Sequence, residues 1–504
     1  MKSVIVAAAI MALMVASSAN AYAEQVSIEN VDITGIDRSR IDLVAPGKLA
    51  EFPLEKEIVF ERGVSLRKPL LGPITLWGRV GVGNRNSYSG DLLGGFEGDE
   101  YIADLQGAVN TFDGRRDGEN YETLDASSSI SRRFASGLVI RLATHFASYR
   151  YDILGPEDIS ALSTRDVNGN SVSVDFDLPI GPGAQLVIGG FLSKYEVSRA
   201  GNSQSERKLG LQGVLKGDVY TVRLSTWLYS FSSGEDELYA NFEARDDLLL
   251  RSGNFSVGWI FGLDLSAGRS LSLTPRLTAN WRLDPRFSFF ALIGVDTRLP
   301  SLEDDVASLP EVDPFAAPPS PTRSFITDLG VKFAPTSFSK ITVTLEYRNE
   351  KSSVFYERDT TGYLVLMQMG DADFFILKAE GEVYFSTRIR LYGNVRFGYA
   401  YPGGSFDRFP YFPHSRSLVG AAFDVTSRLK LSTEMEFRGS VFANTAGSVT
   451  LPDYALFHFE MTYTIGEYVV VFVRGSNVFN QRHYIYDGWR GYPRMVLAGV
   501  EIRF

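Results

Sequence analysis

The sequence contains no cysteine and only four histidines among its 504 residues. Without cysteine there is no disulfide framework and no thiolate metal site, and the lack of thiols suits an oxidising compartment. His145, His414, His458 and His483 are scattered along the chain. Ser, His and Asp nowhere share a spacing that builds a nucleophile. The residues therefore point away from an enzyme: no catalytic group, metal or cofactor is expected. No basic run interrupts a formal net charge of −10, which excludes a general nucleic-acid binder. Beyond the N-terminus no apolar run is long enough for a membrane-spanning helix. That excludes a helical membrane protein but not a barrel, whose strands hide their apolarity by alternation. No blade or solenoid repeat is present.

Several features are abundant. Lys2, the apolar stretch VIVAAAIMALMVA and the small residues around Ala21-Tyr22-Ala23 form a secretory leader, which predicts a signal peptide over 1–23. From residue 73 onward, runs of strict two-residue alternation recur. In ALFHFEMTYTI, Phe457, Phe459, Met461, Tyr463 and Ile465 alternate with His458, Glu460, Thr462 and Thr464. RLKLSTEMEFR, RIRLYGNVRFGY and ITVTLEYR repeat the pattern, and the closing RMVLAGVEIRF sets Val496, Ala498, Val500, Ile502 and Phe504 on one face. A period of two is a strand signal.

The polar faces carry too much charge for a sandwich core. Tight connectors (Ser386-Thr387, Thr426-Ser427, Gly466-Glu467) alternate with long Pro/Gly/Asp-rich ones at 152–168, 300–322, 402–414 and 442–453. Lipid offers no partner to a free N–H or C=O, so a sheet inside it must close on itself. The pattern predicts an all-β transmembrane antiparallel barrel of about 22 strands, with short periplasmic turns and long extracellular loops, in the bacterial outer membrane. Residues 73–504 form this barrel. The stretch 88–96 is its weakest strand, and Phe504 is the terminal aromatic read by barrel-assembly machinery.

The C-terminal stretch VRGSNVFNQRHYIYDGWRGYPRMVLAGVEIRF (473–504) resembles the end of TonB-dependent outer-membrane receptors. In particular, Asn477, Val478, Phe479, Asn480 and Tyr484 are followed by Gly491-Tyr492-Pro493 and Phe504. ILKAEGEVYF, FPHSRSLVGAAF and DGRRDGENYETLDASSSISRRF are similar to further barrel segments of that family, although the usual Pro-Gly-Arg after Tyr-Pro is missing. The resemblance implies a receptor-like barrel for solute transport, with the Asn-Val-Phe-Asn turn in a structural role. Family members carry a plug of well over a hundred residues. Here 24–72 is a short periplasmic or lumenal segment, so the expectation is a plug that is missing or supplied by a partner. A scaffold barrel that docks another protein and a passive porin-like channel are the alternatives.

Alternation also nominates the lumen lining: Glu380, Glu382, Arg388, Arg390, Arg396, Glu434, Glu436, Arg438 and Glu460, read either as a solute path or as a paired ladder across a wet interior. The acidic, Pro-rich 301–321 reads as a solvated outer loop. Asp166-Val-Asn168-Gly169-Asn170 reads as a turn, because its glycine falls too early for a calcium loop. Phe409, Tyr411 and Phe412 beside His414 read as an interfacial girdle or a ligand shelf. The implied partners are outer-membrane lipid, the assembly machinery and a separate plug or periplasmic protein.

Overall fold

The computed structural model describes residues 74–503, apart from Asp99 and short segments between strands, the longest being 299–311. The leader, the segment to Gly72 and Phe504 lie outside the described residues. Twenty-two antiparallel strands form one sheet, each paired to the next. The first, Ile74–Gly83, closes on the last, Met495–Arg503, in the register Trp77↔Arg503 through Gly83↔Leu497. Closure leaves no edge, which is what a lipid environment demands. The weak strand is present as Tyr88–Glu97, paired on both sides.

The outward face is apolar. Val80, Val82, Leu92, Leu192, Leu211, Leu329, Leu345 and Val500 are among the exposed large hydrophobics. Aromatics ring both ends of this belt: Phe96, Tyr101, Trp281, Phe289 and Tyr463 at the short-turn end, and Tyr88, Phe325, Tyr399 and Tyr401 at the other. This is the lipid-facing band of an outer-membrane barrel. Both ends of the described chain lie at the short-turn, periplasmic rim.

Inside, several aromatics lie flat across a glycine directly opposite on the neighbouring strand. A Cβ on Gly169 would fall 2.5 Å from the Tyr195 ring, and one on Gly420 would fall 2.4 Å from Tyr392. The bare glycine accepts the ring and locks the register of the pair. This explains Asp166–Asn170: it is not a turn but the middle of a twenty-residue strand, Leu162–Gly181, and its glycine makes room for Tyr195. The expected loop over 152–168 shrinks likewise, because pairing runs to Leu154↔Leu162.

Candidate functional site

The strands from Ser339–Lys351 to Tyr454–Ile465 turn a charged face to the lumen. Cross-strand register places Lys378 beside Arg396, Arg396 beside Arg416, and Arg416 beside Arg438. Four cations in a row repel one another, so the wall supplies partners. Lys378 binds the Glu346 carboxylate, which Arg348 also holds at 2.7 Å. Arg416 reaches Glu436 at 3.1 Å, and Arg438 donates to the Ile485 carbonyl at 3.3 Å. Arg396 differs from the other three: it stacks on the Phe412 ring at 5.2 Å, and its Nε and Nη2 have no hydrogen-bond acceptor. Both nitrogens are buried against that ring, so Arg396 keeps a positive charge in the row without a fixed acceptor.

The other nominated residues divide by role. Glu434 accepts the Tyr392 hydroxyl at 2.7 Å. Glu460 is held by Arg474 at 3.0 Å and by Arg79 at 3.4 Å, and Arg79 stacks on Phe472 at 3.4 Å beside the closing seam. Glu382 and Arg390 stand 3.9 Å apart, and Glu380 is exposed to the lumen between Thr342 and Asn394. Arg388 does not line the lumen. It occupies the two-residue turn between Asp371–Ser386 and Ile389–Pro402, exposed on the periplasmic rim. The alternation that nominated it, Arg388, Arg390, Asn394 and Arg396, holds within the strand, but pairing begins only at Ile389, so Arg388 already lies in the turn.

Above the cationic row the outer loops fold inward and form a roof. The hairpin Val354–Arg358 with Leu364–Gln368 lies at its centre. Tyr356 and Tyr363 meet Tyr486 and Trp489 of the ribbon Tyr484–Tyr486/Trp489–Arg490 edge-on or tilted, and Arg358 reaches Asp487 at 3.4 Å. Glu357 accepts the Thr445 amide at 3.4 Å and its hydroxyl at 3.3 Å. The far wall contributes Tyr121, Tyr151, Val167 and Val197 to the same buried cluster as Tyr363, Leu364, Tyr411, Ile485, Tyr486 and Trp489. Arg165, fully buried, donates to the Val312 carbonyl at 2.8 Å, and Arg199 stacks on Tyr363 at 3.5 Å and approaches Asp313 at 3.9 Å.

The rings read as a girdle belong to this roof. Phe409 and Phe412 pack with Phe355 and Met369 on the inward Ala372, Phe374 and Ile376, while Tyr411 accepts the Asp487 amide at 3.3 Å. Burial pushes the Tyr411 hydroxyl above the usual tyrosine range and keeps it un-ionised. A loop that turns over the mouth gives its rings a protein surface to cover instead of lipid. The acidic loop departs from expectation in the same way: its described residue Val312 is wholly buried and bridges to Leu364. The Asn-Val-Phe-Asn turn is structural. Asn477 adopts φ 45° and holds the Gln481 and Tyr492 carbonyls at 2.9 Å each, and Asn480 caps Arg494 at 2.9 Å. Arg165, Arg199 and Tyr363 escape the sequence reading because their partners lie more than a hundred residues away in the chain. Among the described residues no His/Cys/Asp/Glu group is arranged to hold a metal ion.

Comparison of the sequence with protein-family models and with characterised proteins gives no match. Solved structures do match. The ferric-catecholate import receptor Fiu of E. coli K12 shares 12% identity over 85% of this chain and 81% of its own, with a TM-score of 0.69. The siderophore receptor PiuA of Acinetobacter baumannii shares 9% over 87% and 82%, with a TM-score of 0.70. The FrpB iron transporter of Neisseria meningitidis shares 10% over 86% and 82%, with a TM-score of 0.68. At such identity the likeness is one of fold. With its closed 22-strand wall and lipid-facing belt, this chain is an outer-membrane β-barrel built on the fold of those receptors.

Proposed function

We propose that the protein carries an anionic solute inward across the outer membrane, admitting it through the outer loops to the lumenal row Lys378, Arg396, Arg416 and Arg438. The observation that carries this reading is that row, built on a wall shared with import receptors. A structural ladder matches each cation with an acid. Here, among the described residues, Arg438 has only a backbone carbonyl and the buried Nε and Nη2 of Arg396 have no acceptor, which leaves the row with surplus positive charge. Because the similar structures are receptors and transporters for ferric catecholate, siderophore and iron, a ferric chelate with anionic oxygens is the first solute to test. On this reading the segment 24–72, or a separate plug, closes the periplasmic side, and a periplasmic partner of the TonB kind drives passage.

The test is uptake of an anionic ferric tricatecholate and of a neutral ferric trihydroxamate by cells with and without the gene. The anionic complex should enter only when the protein is present, and Arg396→Gln should slow entry about tenfold, the loss of one cation from the row. Unchanged uptake on deletion, with a stoichiometric partner recovered after crosslinking, would make the protein a scaffold instead.

A further inference from the structure

We propose that the hairpin 354–368 is an outer gate, seated against the opposite wall by Arg199, which shuts the lumen from the cell exterior whatever stands at the periplasmic end. Four features of the geometry support this. First, the hairpin arises from one side of the barrel, between Ser339–Lys351 and Asp371–Ser386, yet its Tyr363 ring lies under the Arg199 guanidinium of Ala184–Arg199, many strands away around the wall. A contact that crosses the mouth closes it. Second, the hairpin is the common neighbour of the other roof segments. It reaches residue 445 through Glu357, residues 486–489 through Tyr356, Arg358 and Tyr363, and residues 312–313 through Leu364, whose carbonyl accepts the Asp313 amide at 2.7 Å. Removing it takes away the contacts by which 312–313 reach the segments around 445 and 486–489, which stay joined to each other through Arg408 and Tyr411.

Third, the roof contact is dry. Tyr363 is 7% exposed and Leu364 fully buried, so the seal excludes water instead of merely narrowing the path. Fourth, beside the shared buried cluster, the polar contacts at the far wall are the Arg199 stack on Tyr363 and a partly exposed ion pair from Arg199 to the neighbouring Asp313, at 18% and 27% side-chain exposure. Such contacts are individually weak enough to open and re-form, whereas the wall strands below are held by continuous ladders. The segment therefore belongs to the class of elements that open locally while the scaffold stays folded.

The chain's lack of cysteine makes the test direct. Asn394→Cys places one thiol on the exposed lumenal side of Ile389–Pro402, below the roof. Phe479→Cys places one outside, where Phe479 is 78% exposed. Intact cells expressing the full chain are treated with a membrane-impermeant maleimide. With the roof closed, labelling at 394 is expected to be at least about tenfold slower than at 479, because the reagent meets only the open fraction. Replacing 354–368 by a two-residue Gly turn, or introducing Arg199→Ala together with Tyr363→Ala, should bring the two rates within about threefold. Heat-modifiable gel mobility identifies which variants retain the barrel, and the double substitution serves if the excision does not fold. Equal labelling at 394 and 479 in the unaltered roof overturns the proposal, as does a folded variant in which 394 stays protected. The readout uses no solute, so the gate can fail while anion uptake stands, and the reverse.

Discussion

One flank of the barrel is tall and simply joined; the other is short and elaborately capped. The tall flank contains Val139–Leu154, Leu162–Gly181, Ala184–Arg199 and Asn202–Lys216, which run to 16, 20, 16 and 15 residues. The short flank contains Ser415–Asp424, Leu429–Arg438, Val469–Ser476 and Met495–Arg503, at 10, 10, 8 and 9. A tilted strand needs roughly 9–11 residues to cross the hydrocarbon. The short flank therefore spans lipid and little else, and the tall flank rises above it. Above the membrane its two faces exchange roles. In Ala184–Arg199, Leu192 faces lipid, but Lys194 and Glu196 on the same face pair with each other in water, while Tyr195 and Val197 turn inward and are buried. In Leu162–Gly181, Val172 and Phe176 face out lower down, and Val167 is buried on the inner face higher up. The alternation is unbroken, and its meaning inverts where the solvent does. The raised inner face is the surface against which the outer loops close, Val312 on Arg165 and Tyr363 on Arg199.

If the tall flank is the seat of the roof, its buried anchor is the point to attack first. Arg165→Ala removes a fully buried guanidinium and leaves the Val312 carbonyl without its donor. The loss should be about 3–5 kcal/mol, as for breaking a buried charged contact from one side. The expected pattern is local: trypsin should cut at Arg358 in the roof while the barrel retains heat-modifiable mobility. Global unfolding instead would mean that the raised strands hold the whole wall and not the roof.

Tyr121→Ala comes next. Its ring stacks on Phe112 at 5.1 Å and meets Tyr151 and Tyr492 edge-on at 5.5 and 5.9 Å, so it joins the tall flank to the loop before the last strand. Truncating an aromatic in such a cluster should cost about 3 kcal/mol. The midpoint of the mobility shift on heating should fall, and cleavage near residue 490 should appear. A smaller effect is expected at Arg358, whose pair with Asp487 is only partly buried at 18% and 31% side-chain exposure. Arg358→Gln should cost about 1 kcal/mol or less and leave the tall flank's protease resistance unchanged.

The wall was legible in the sequence because two-residue alternation is local: each run carries its own evidence, and closure follows from the chemistry of lipid. The weak strand 88–97 was recoverable from parity alone. Glu380, Arg396, Glu434, Glu436, Arg438 and Glu460 fall within paired strands whose alternation is local in the same way, whereas Arg388 sits one residue before pairing starts at Ile389, a boundary that alternation does not mark. The roof was not legible. Val312, Tyr363 and Phe409 sit in stretches rich in Pro, Gly and Asp, whose composition suggests solvated loops, and their burial depends on segments distant in sequence. The inversion on the tall flank was readable in principle. A strand in which Leu192 shares a face with Lys194 and Glu196 has crossed a solvent boundary, and its length beyond the hydrocarbon requirement marks the same point.

The smallest effect tests that boundary. Lys194 and Glu196 lie 2.7 Å apart at 45% and 38% side-chain exposure. If both are above the lipid in water, the pair is an exposed salt bridge, and Lys194→Ala or Glu196→Ala should shift stability by no more than about 0.5 kcal/mol, with salt abolishing even that. If instead hydrocarbon rose well past this height, Glu196→Ala would leave the Lys194 charge unpaired deep in lipid, at a cost rising from about 1 kcal/mol at the interface toward about 2–4 kcal/mol at depth. The two outcomes differ severalfold, and salt moves only the first. A large, salt-insensitive loss at this pair would put the lipid against the tall flank, and its inner face would then be lumen wall and not a seat for the loops.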